Sequence, residues 1–344
     1  MIRIGVIGYG YWGPNLVRNF ADVSDCRVTM VSDTRADRRA IVEARYPGVA
    51  TTADYQDLLR SPDVDAVAIA TPVTTHFQIA LEALHAGKHV WVEKPMTATS
   101  AEAVKLIEEA DRRGLTLHVD HTFVYTGAVR KIKDLIQTGA LGRIYYYDSV
   151  RVNLGLFQRD VNVIWDLAVH DLSIMDHVLP MQPSALSVTA ARHVAGQPED
   201  VAYLTLFFED STIAHIHVNW LAPVKVRRTL IGGSSKMIVY DDLEPSEKIK
   251  VYDKGLRLDD QPGARHQMLV GYRAGDMWSP QIEITEALQT EAKHFVDCIE
   301  RAQRSQTDGE AGFRIVRMLE AAAESMAGRG RVVELDVPKV KISA

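Results

Sequence analysis

The sequence is short of several things, and each shortage excludes a class of protein. Only two cysteines occur in 344 residues, Cys26 and Cys298. They stand far apart, outside any paired metal or redox motif. The expectation is two free thiols in a reducing compartment and no metal site. An excess of positive charge is missing: the net charge is −6, without the basic stripe of a nucleic-acid binder. No apolar run approaches the ~20 residues that span a bilayer. Long charge runs, proline-rich linkers, low-complexity tracts and fixed-period repeats are also absent. So are a nucleophile-elbow serine motif and a Walker loop. Met1 leads straight into a predicted strand rather than a signal peptide, so the expected location is the cytoplasm.

What is present is a large apolar fraction, 47%, and length enough for two domains at roughly 150 residues each. Apolar stretches at 2–8, 26–33, 64–70, 89–93 and 115–120 read as strands. Helical patterns lie between them, near 14–22, 35–46, 75–86 and 100–113, the last with Ser100 as its cap. Strands alternating with helices predict a doubly wound parallel sheet. After about residue 120 the pattern changes. Helices near 126–138 and 166–179 flank a strand at 143–153. Period-two runs follow at 184–192, 201–209, 212–220, 225–231, 236–240 and 247–253. Helices near 284–301 and 308–328 and a short strand near 331–336 finish the chain. The expected organisation is an α/β domain over 1–120 and an α+β domain over 121–344 with a large, open, mostly antiparallel sheet.

The first strand runs into "GYGYWG", placing Gly8, Gly10 and Gly13 before a helix. In that context the glycines have separate tasks. Gly8 permits a tight turn, Gly10 lets backbone approach a pyrophosphate, and Gly13 allows close helix–strand packing. The helix start offers amide donors to phosphates. Asp33 ends the second strand, twenty residues beyond Gly13. A carboxylate there accepts ribose hydroxyls, which predicts a Rossmann domain binding NAD in preference to NADP. Arg35 and Arg38 stand close enough to meet a 2′-phosphate, or simply form a solvated helix start.

Two further groups carry chemistry. Glu93-Lys94-Pro95 stands at the carboxyl end of a predicted sheet strand, the edge where open α/β sheets bind ligands. A lysine just past a strand is also common at a surface. In the helix predicted over 166–179, Asp166, His170, Ser173 and His177 fall on one side, opposite Ala168, Leu172, Met175 and Leu179. Asp166 and His170 are four apart, so the carboxylate can orient the imidazole as a general base. An ordinary solvated face would show the same pattern, but Trp165 and Val169 narrow the polar strip. His215 with His217, and His118 with His121, lack a further ligand nearby. Tyr145, Tyr146 and Tyr147 read as strand-forming aromatics.

Taken together, "GVIGYGYWGPN", "AIATPVTTH", "VEKP" and "WDLAVHD" resemble the Gfo/Idh/MocA family of NAD(P)-dependent sugar and cyclitol oxidoreductases, in the same order along the whole chain. The resemblance implies a Rossmann domain and a C-terminal domain that binds substrate and forms oligomers. It implies Lys94, Asp166 and His170 as catalytic residues. Cofactor contacts would come from Gly8, Gly10, Tyr11, Trp12, Gly13, Asp33, Thr71, Pro72, His76, Glu93 and Lys94. Two features depart from many members: "VNVIW" stands before the aspartate in place of a glycine cluster, and Ser173 replaces an acid, with Asp171 beside the histidine.

The stretch 151–171 is similar to UDP-N-acetylglucosamine and UDP-N-acetylglucosaminuronate 3-dehydrogenases. That would give Arg151, Asn153, Arg159 and Asn162 to the substrate, although these four also fit a structured loop beside a strand; Tyr125 is a further candidate, for the substrate or, with Asp171, as an alternative base. The implied reaction moves hydride between a sugar ring carbon, C3 of a nucleotide-sugar, and the nicotinamide. A glycosidase acting by transient oxidation, a ketosugar reductase, an inositol dehydrogenase and a non-catalytic NAD or sugar sensor remain as alternatives. The implied partners are a small sugar substrate and further copies of the chain, as a homodimer or homotetramer. The mixed face of 212–221, with Ile213, His215, His217 and Asn219 on one side, suits such an interface.

Overall fold

A computed structural model describes residues 1–155, 161–257, 271–273 and 275–335. The chain forms two compact units, one of residues 1–126 with 285–320, the other of residues 127–284 with 321–344. The division expected from the sequence stood at residue 120. The first crossing lies six residues later, and the chain then returns to the first unit. No helix among the described residues is long and apolar enough to cross a membrane.

The first unit is built on a six-stranded parallel sheet in the order β3-β2-β1-β4-β5-β6. Its elements are β1 (Ile2–Ile7), α1 (Gly13–Ala21), β2 (Cys26–Ser32), α2 (Ala36–Arg45), β3 (Ala50–Thr52), α3 (Gln56–Arg60), β4 (Ala66–Ile69), α4 (Val73–His85), β5 (His89–Glu93), α5 (Ser100–Arg113) and β6 (Leu117–Asp120). The short β3 and α3 escape the sequence reading because neither is long enough to show a period. Helices cover both faces, so β4 and β6 are buried at every position. One core lies under α4 and α5. The other lies under α1 and takes Phe295 from α8 (Ala287–Arg301). There Phe20, Trp91 and Phe295 meet edge to face, with ring centroids 5.2 and 5.6 Å apart.

Local signals set the helix ends. Helix α4 closes on Gly87 at φ +74°, with Lys88 N donating to the Ala83 carbonyl. Helix α5 starts from a capping box: Thr99 accepts from Glu102 N, and Glu102 reaches back to Thr99 N. The cap is therefore Thr99 and not Ser100, a contribution of about 1 kcal/mol.

The second unit contains a nine-stranded sheet in the order β16-β13-β12-β11-β7-β10-β9-β8-β17. The strands are β7 (Ile144–Leu154), β8 (Ala185–Ala191), β9 (Val201–Phe207), β10 (Ile213–Asn219), β11 (Leu221–Gly233), β12 (Met237–Asp241), β13 (Ile249–Tyr252), β16 (Met277–Trp278) and β17 (Val333–Glu334). Strands β14 (Gly255–Arg257) and β15 (Gly271–Arg273) pair separately. All neighbours are antiparallel except β7 and β10. Helices α6 (Gly127–Gln137) and α7 (Val169–Val178) belong to this unit. Helix α9 (Gly309–Ala327) contains the third crossing, back into this unit. Along β10, Ala214, Ile216 and Val218 are buried, while Ile213, His215, His217 and Asn219 face outward as the alternation predicts.

Candidate active site

In the first unit the carboxyl ends of β1, β2, β4 and β5 carry the predicted cofactor residues. The glycine loop is tight for stated reasons. Gly8 has φ +96°, and a Cβ there would stand 2.6 Å from the Ala70 carbonyl oxygen. A Cβ on Gly13 would stand 2.1 Å from the Gly8 carbonyl oxygen. Gly10 is different: its nearest such neighbour is the Arg35 guanidinium at 4.0 Å, so the backbone there is open to a ligand. No side chain caps α1, whose first turn carries Pro14. Its amides are thus left for an anion. These features fit a dinucleotide pyrophosphate.

Asp33 is drawn under this loop. Tyr9 N donates to its Oδ2 at 2.8 Å, and Arg35 N to its Oδ1 at 2.9 Å. Burial pushes the Asp33 pKa up, but the two backbone amides and the Arg35 guanidinium together hold it below the usual carboxylate value. Asp33 therefore stands ionised, with lone pairs remaining for a diol.

Thr71 and Pro72 lead into α4, and His76 ties that turn to the end of β5. Its Nε2 lies 2.8 Å from the Thr71 carbonyl and its Nδ1 2.9 Å from the Pro95 carbonyl. Burial lowers the His76 pKa against the pull of those two carbonyls. Lys94 is half-buried beside a cis Lys94–Pro95 bond, and Glu93 is buried behind it. Tyr11 is exposed, and its ring stacks on that of Trp12 at 6.4 Å.

In the second unit, Ile164–Ala168 form a π-helical turn that runs into α7. The regular α-helix expected over 166–179 is thus interrupted at its start, and Asp166 lies in the wider turn. Such turns are frequent at functional sites. Asp166 and His170 are both half-buried. Trp220, fully buried, donates its indole N–H to Asp166 Oδ2 at 3.0 Å. The residue after His170 is anchored too. Asp171 accepts from Arg151 Nε at 2.6 Å and from the Ser149 hydroxyl at 2.6 Å, all buried.

Three substrate expectations change here. Arg151 is 3% exposed and is committed to Asp171. Tyr125 is 1% exposed, its hydroxyl 3.0 Å from that of Thr307. Asn162 starts the helical segment, its Oδ1 accepting from Ile164 N and Trp165 N. Each has a partner within the fold. Asn153 remains half-buried on β7, and Arg159 lies outside the described residues. The sequence reading missed Trp220, since an indole reads as core; it also missed the carboxyls of Asp120 and Glu291.

A glycine loop shaped for a pyrophosphate, an ionised carboxylate at the end of β2 and a lysine at the end of β5 define an NAD(P)-dependent dehydrogenase. Two family models match in succession. The first describes an oxidoreductase family with an NAD-binding Rossmann fold, over residues 2–121; the second is the Gfo/Idh/MocA C-terminal domain, over 129–239. The chain belongs to the Gfo/Idh/MocA oxidoreductase family.

Its relatives are distant. The UDP-N-acetylglucosamine 3-dehydrogenase of Acidithiobacillus ferrooxidans is 28% identical over 327 residues, 92% of this chain and 94% of that protein. The NADP(+)-dependent scyllo-inositol 2-dehydrogenase of Bacillus subtilis is 24% identical over 341 residues, 94% and 93% of the two chains. A crystal structure of an oxidoreductase from Magnetospirillum magnetotacticum superposes with a TM-score of 0.80 at 27% identity, covering 93% of this chain and 99% of that one.

Proposed function

We propose that the protein oxidises a ring hydroxyl of a sugar, or reduces the matching ketosugar, with NAD as the preferred carrier. The substrate of choice is a nucleotide-sugar and the ring position C3. The observation that carries the reading is the setting of His170. It stands half-buried beside the anchored Asp171, four residues after an Asp166 that Trp220 holds. A histidine in this setting suits proton transfer near neutral pH. His170 takes the hydroxyl proton, and Asp166 orients the imidazole. Lys94, at the end of β5, is the proposed hydrogen-bond donor to substrate oxygen as negative charge develops. Bound NAD supplies the hydride acceptor. Asp33 favours NAD, since a carboxylate accepts ribose hydroxyls and repels a 2′-phosphate. The likeness to a UDP-N-acetylglucosamine 3-dehydrogenase supports the choice of substrate.

A second reading, an inositol dehydrogenase, is supported by the scyllo-inositol relative. One screen decides between them: NADH formation with UDP-, dTDP- and GDP-sugars, free sugars and inositols. A nucleotide-sugar should be the best substrate. His170→Ala should cut turnover by roughly 10²–10⁴-fold, the loss expected for a general base. Wild-type oxidation should rise with pH through one ionisation that the variant lacks. A variant with normal turnover and the same ionisation would refute the assignment. NADPH binding as tight as NADH would refute the role of Asp33.

The outward face of the large sheet, with Tyr203, Phe207 and Ile213 exposed on β9 and β10, is the surface proposed to join copies of the chain. A monomeric mass by light scattering would count against it.

A further inference from the structure

Three carboxyl side chains are buried together at the carboxyl ends of β5 and β6. Glu93, Asp120 and Glu291 are 9%, 1% and 0% exposed. Glu93 and Asp120 are register partners across the two parallel strands. Glu291 reaches them from α8 and interacts with both. The hydrogen-bond donors that reach the cluster from other side chains are neutral. Trp12 Nε1–H donates to Asp120 Oδ2 at 3.1 Å, and the Thr122 hydroxyl donates to Asp120 Oδ1.

His118 closes the cluster on the other side. Its Nε2 lies 3.1 Å from Glu291 Oε1 and its Nδ1 2.8 Å from the Ser305 hydroxyl. That hydroxyl accepts from Thr307 N, and its own proton can go to His118 Nδ1. In the tautomer assigned on that basis, His118 Nε2 carries the N–H that faces Glu291 Oε1. Burial keeps this imidazole neutral, helped by the nearby His294 and His121.

Two oxygens remain. Glu93 Oε1 and Glu291 Oε2 are buried, and no donor reaches them. Three ionised carboxylates in one dry contact are excluded by their mutual repulsion. Protons must be retained, and the two glutamates are where they fit. Burial first, and then the Asp120 charge, push both glutamates well above their ordinary pKa. Lys94 beside Glu93 acts in the opposite direction but does not prevail. Tyr125 also faces Glu291, and burial keeps its hydroxyl protonated.

We propose that Asp120 is the one ionised carboxylate of this cluster, accepting from protonated Glu93 and Glu291 and from Trp12 and Thr122, and that it is a positioning residue for the dinucleotide. A carboxylate has about four acceptor sites, and these four donors fill them. Two of the four lead to the cofactor cradle. Trp12 lies in the glycine loop and is the N-cap of α1. Glu93 directly precedes Lys94. The hub therefore ties the pyrophosphate loop to the lysine-bearing strand end. No group of His, Cys, Asp and Glu suited to a metal ion occurs among the described residues.

The inference rests on the reading of the glycine loop and Lys94 as the cofactor cradle. The test uses the full chain and three substitutions. In Glu291→Gln the amide N–H donates to Asp120 and its carbonyl accepts from His118, so NADH affinity by fluorescence titration should stay within about twofold. Glu291→Leu removes the donor, and Asp120→Asn removes the hub. Each should weaken NADH about tenfold or more, the equivalent of one charge-assisted hydrogen bond. Infrared spectra of the ligand-free protein at mildly alkaline pH should show a protonated carboxylic acid band that Glu291→Gln diminishes. This readout survives even if Asp120→Asn fails to fold. No such band in the wild type, or equal NADH loss in Glu291→Gln and Glu291→Leu, overturns the hub. A wild type that binds no NADH overturns the cradle instead.

Discussion

Removing the Arg151 guanidinium would show how firmly the start of α7 depends on one buried charge pair. Arg151 is on β7, and Asp171 follows His170 on α7. Their Nε–Oδ2 distance is 2.6 Å, and neither side chain exceeds 4% exposure. Arg151→Met keeps most of the aliphatic stem but leaves Asp171 without its cation. Water cannot reach the carboxylate to compensate. Breaking a buried pair from one side costs about 3–5 kcal/mol. For a unit of this size each kcal/mol lowers the melting temperature by about 2–4 °C. The expected drop is therefore about 6–20 °C by differential scanning calorimetry. Removing both charges, as Arg151→Met with Asp171→Leu, leaves no stranded ion. The Ser149 hydroxyl then loses Asp171 as its acceptor, at a cost of about 1–3 kcal/mol. The double variant should melt above the Arg151→Met single variant. A single variant melting within about 2 °C of wild type, less than 1 kcal/mol, would refute the reasoning. So would a double variant less stable than the single.

Other outcomes follow from the same structure. Gly13→Ala places a Cβ 2.1 Å from the Gly8 carbonyl oxygen, so NADH titration should show binding lost or weakened by more than tenfold, or the loop must open. Burial pushes the thiols of Cys26 and Cys298 up to about 12 and about 11. A thiol reagent should therefore label neither in the native protein near neutral pH and both after unfolding. The raised pKa values of Glu93 and Glu291 make stability depend on pH with a definite sign. In the unfolded chain both ionise near the ordinary 4.5, while the fold retains their protons. Their stabilising contribution is complete below that value and is lost as pH rises through the folded pKa values. Denaturant titrations should show Glu291→Gln losing less stability than wild type over that range.

Much of the fold is legible in one dimension because its signals are local. A strand buried on both faces needs a continuous apolar run, as 66–70 shows, and the half-exposed β10 needs strict alternation. A glycine before a helix announces itself wherever a side chain would collide with backbone. Polarity is less legible, because it shows that a side chain needs a partner and not which partner it finds. Asp33 was placed correctly at the end of β2 because its spacing from the glycines is local. Arg151, Asn162 and Tyr125 drew the same kind of inference, yet they meet Asp171, two backbone amides and Thr307. Those partners lie from two to 182 residues away, so only Asn162 left a local trace, as a helix cap. The return of α8 to the first unit obeys the same logic. Phe295 and Glu291 sit one turn apart on α8, and no pattern within that helix tells that one meets Trp91 and the other Asp120. The proposed hub is the extreme case. Its four donors come from four separate segments, and each residue alone reads as an ordinary acid, indole or hydroxyl. Only their burial in one place forces the protons onto the glutamates and turns three acids into a single charge.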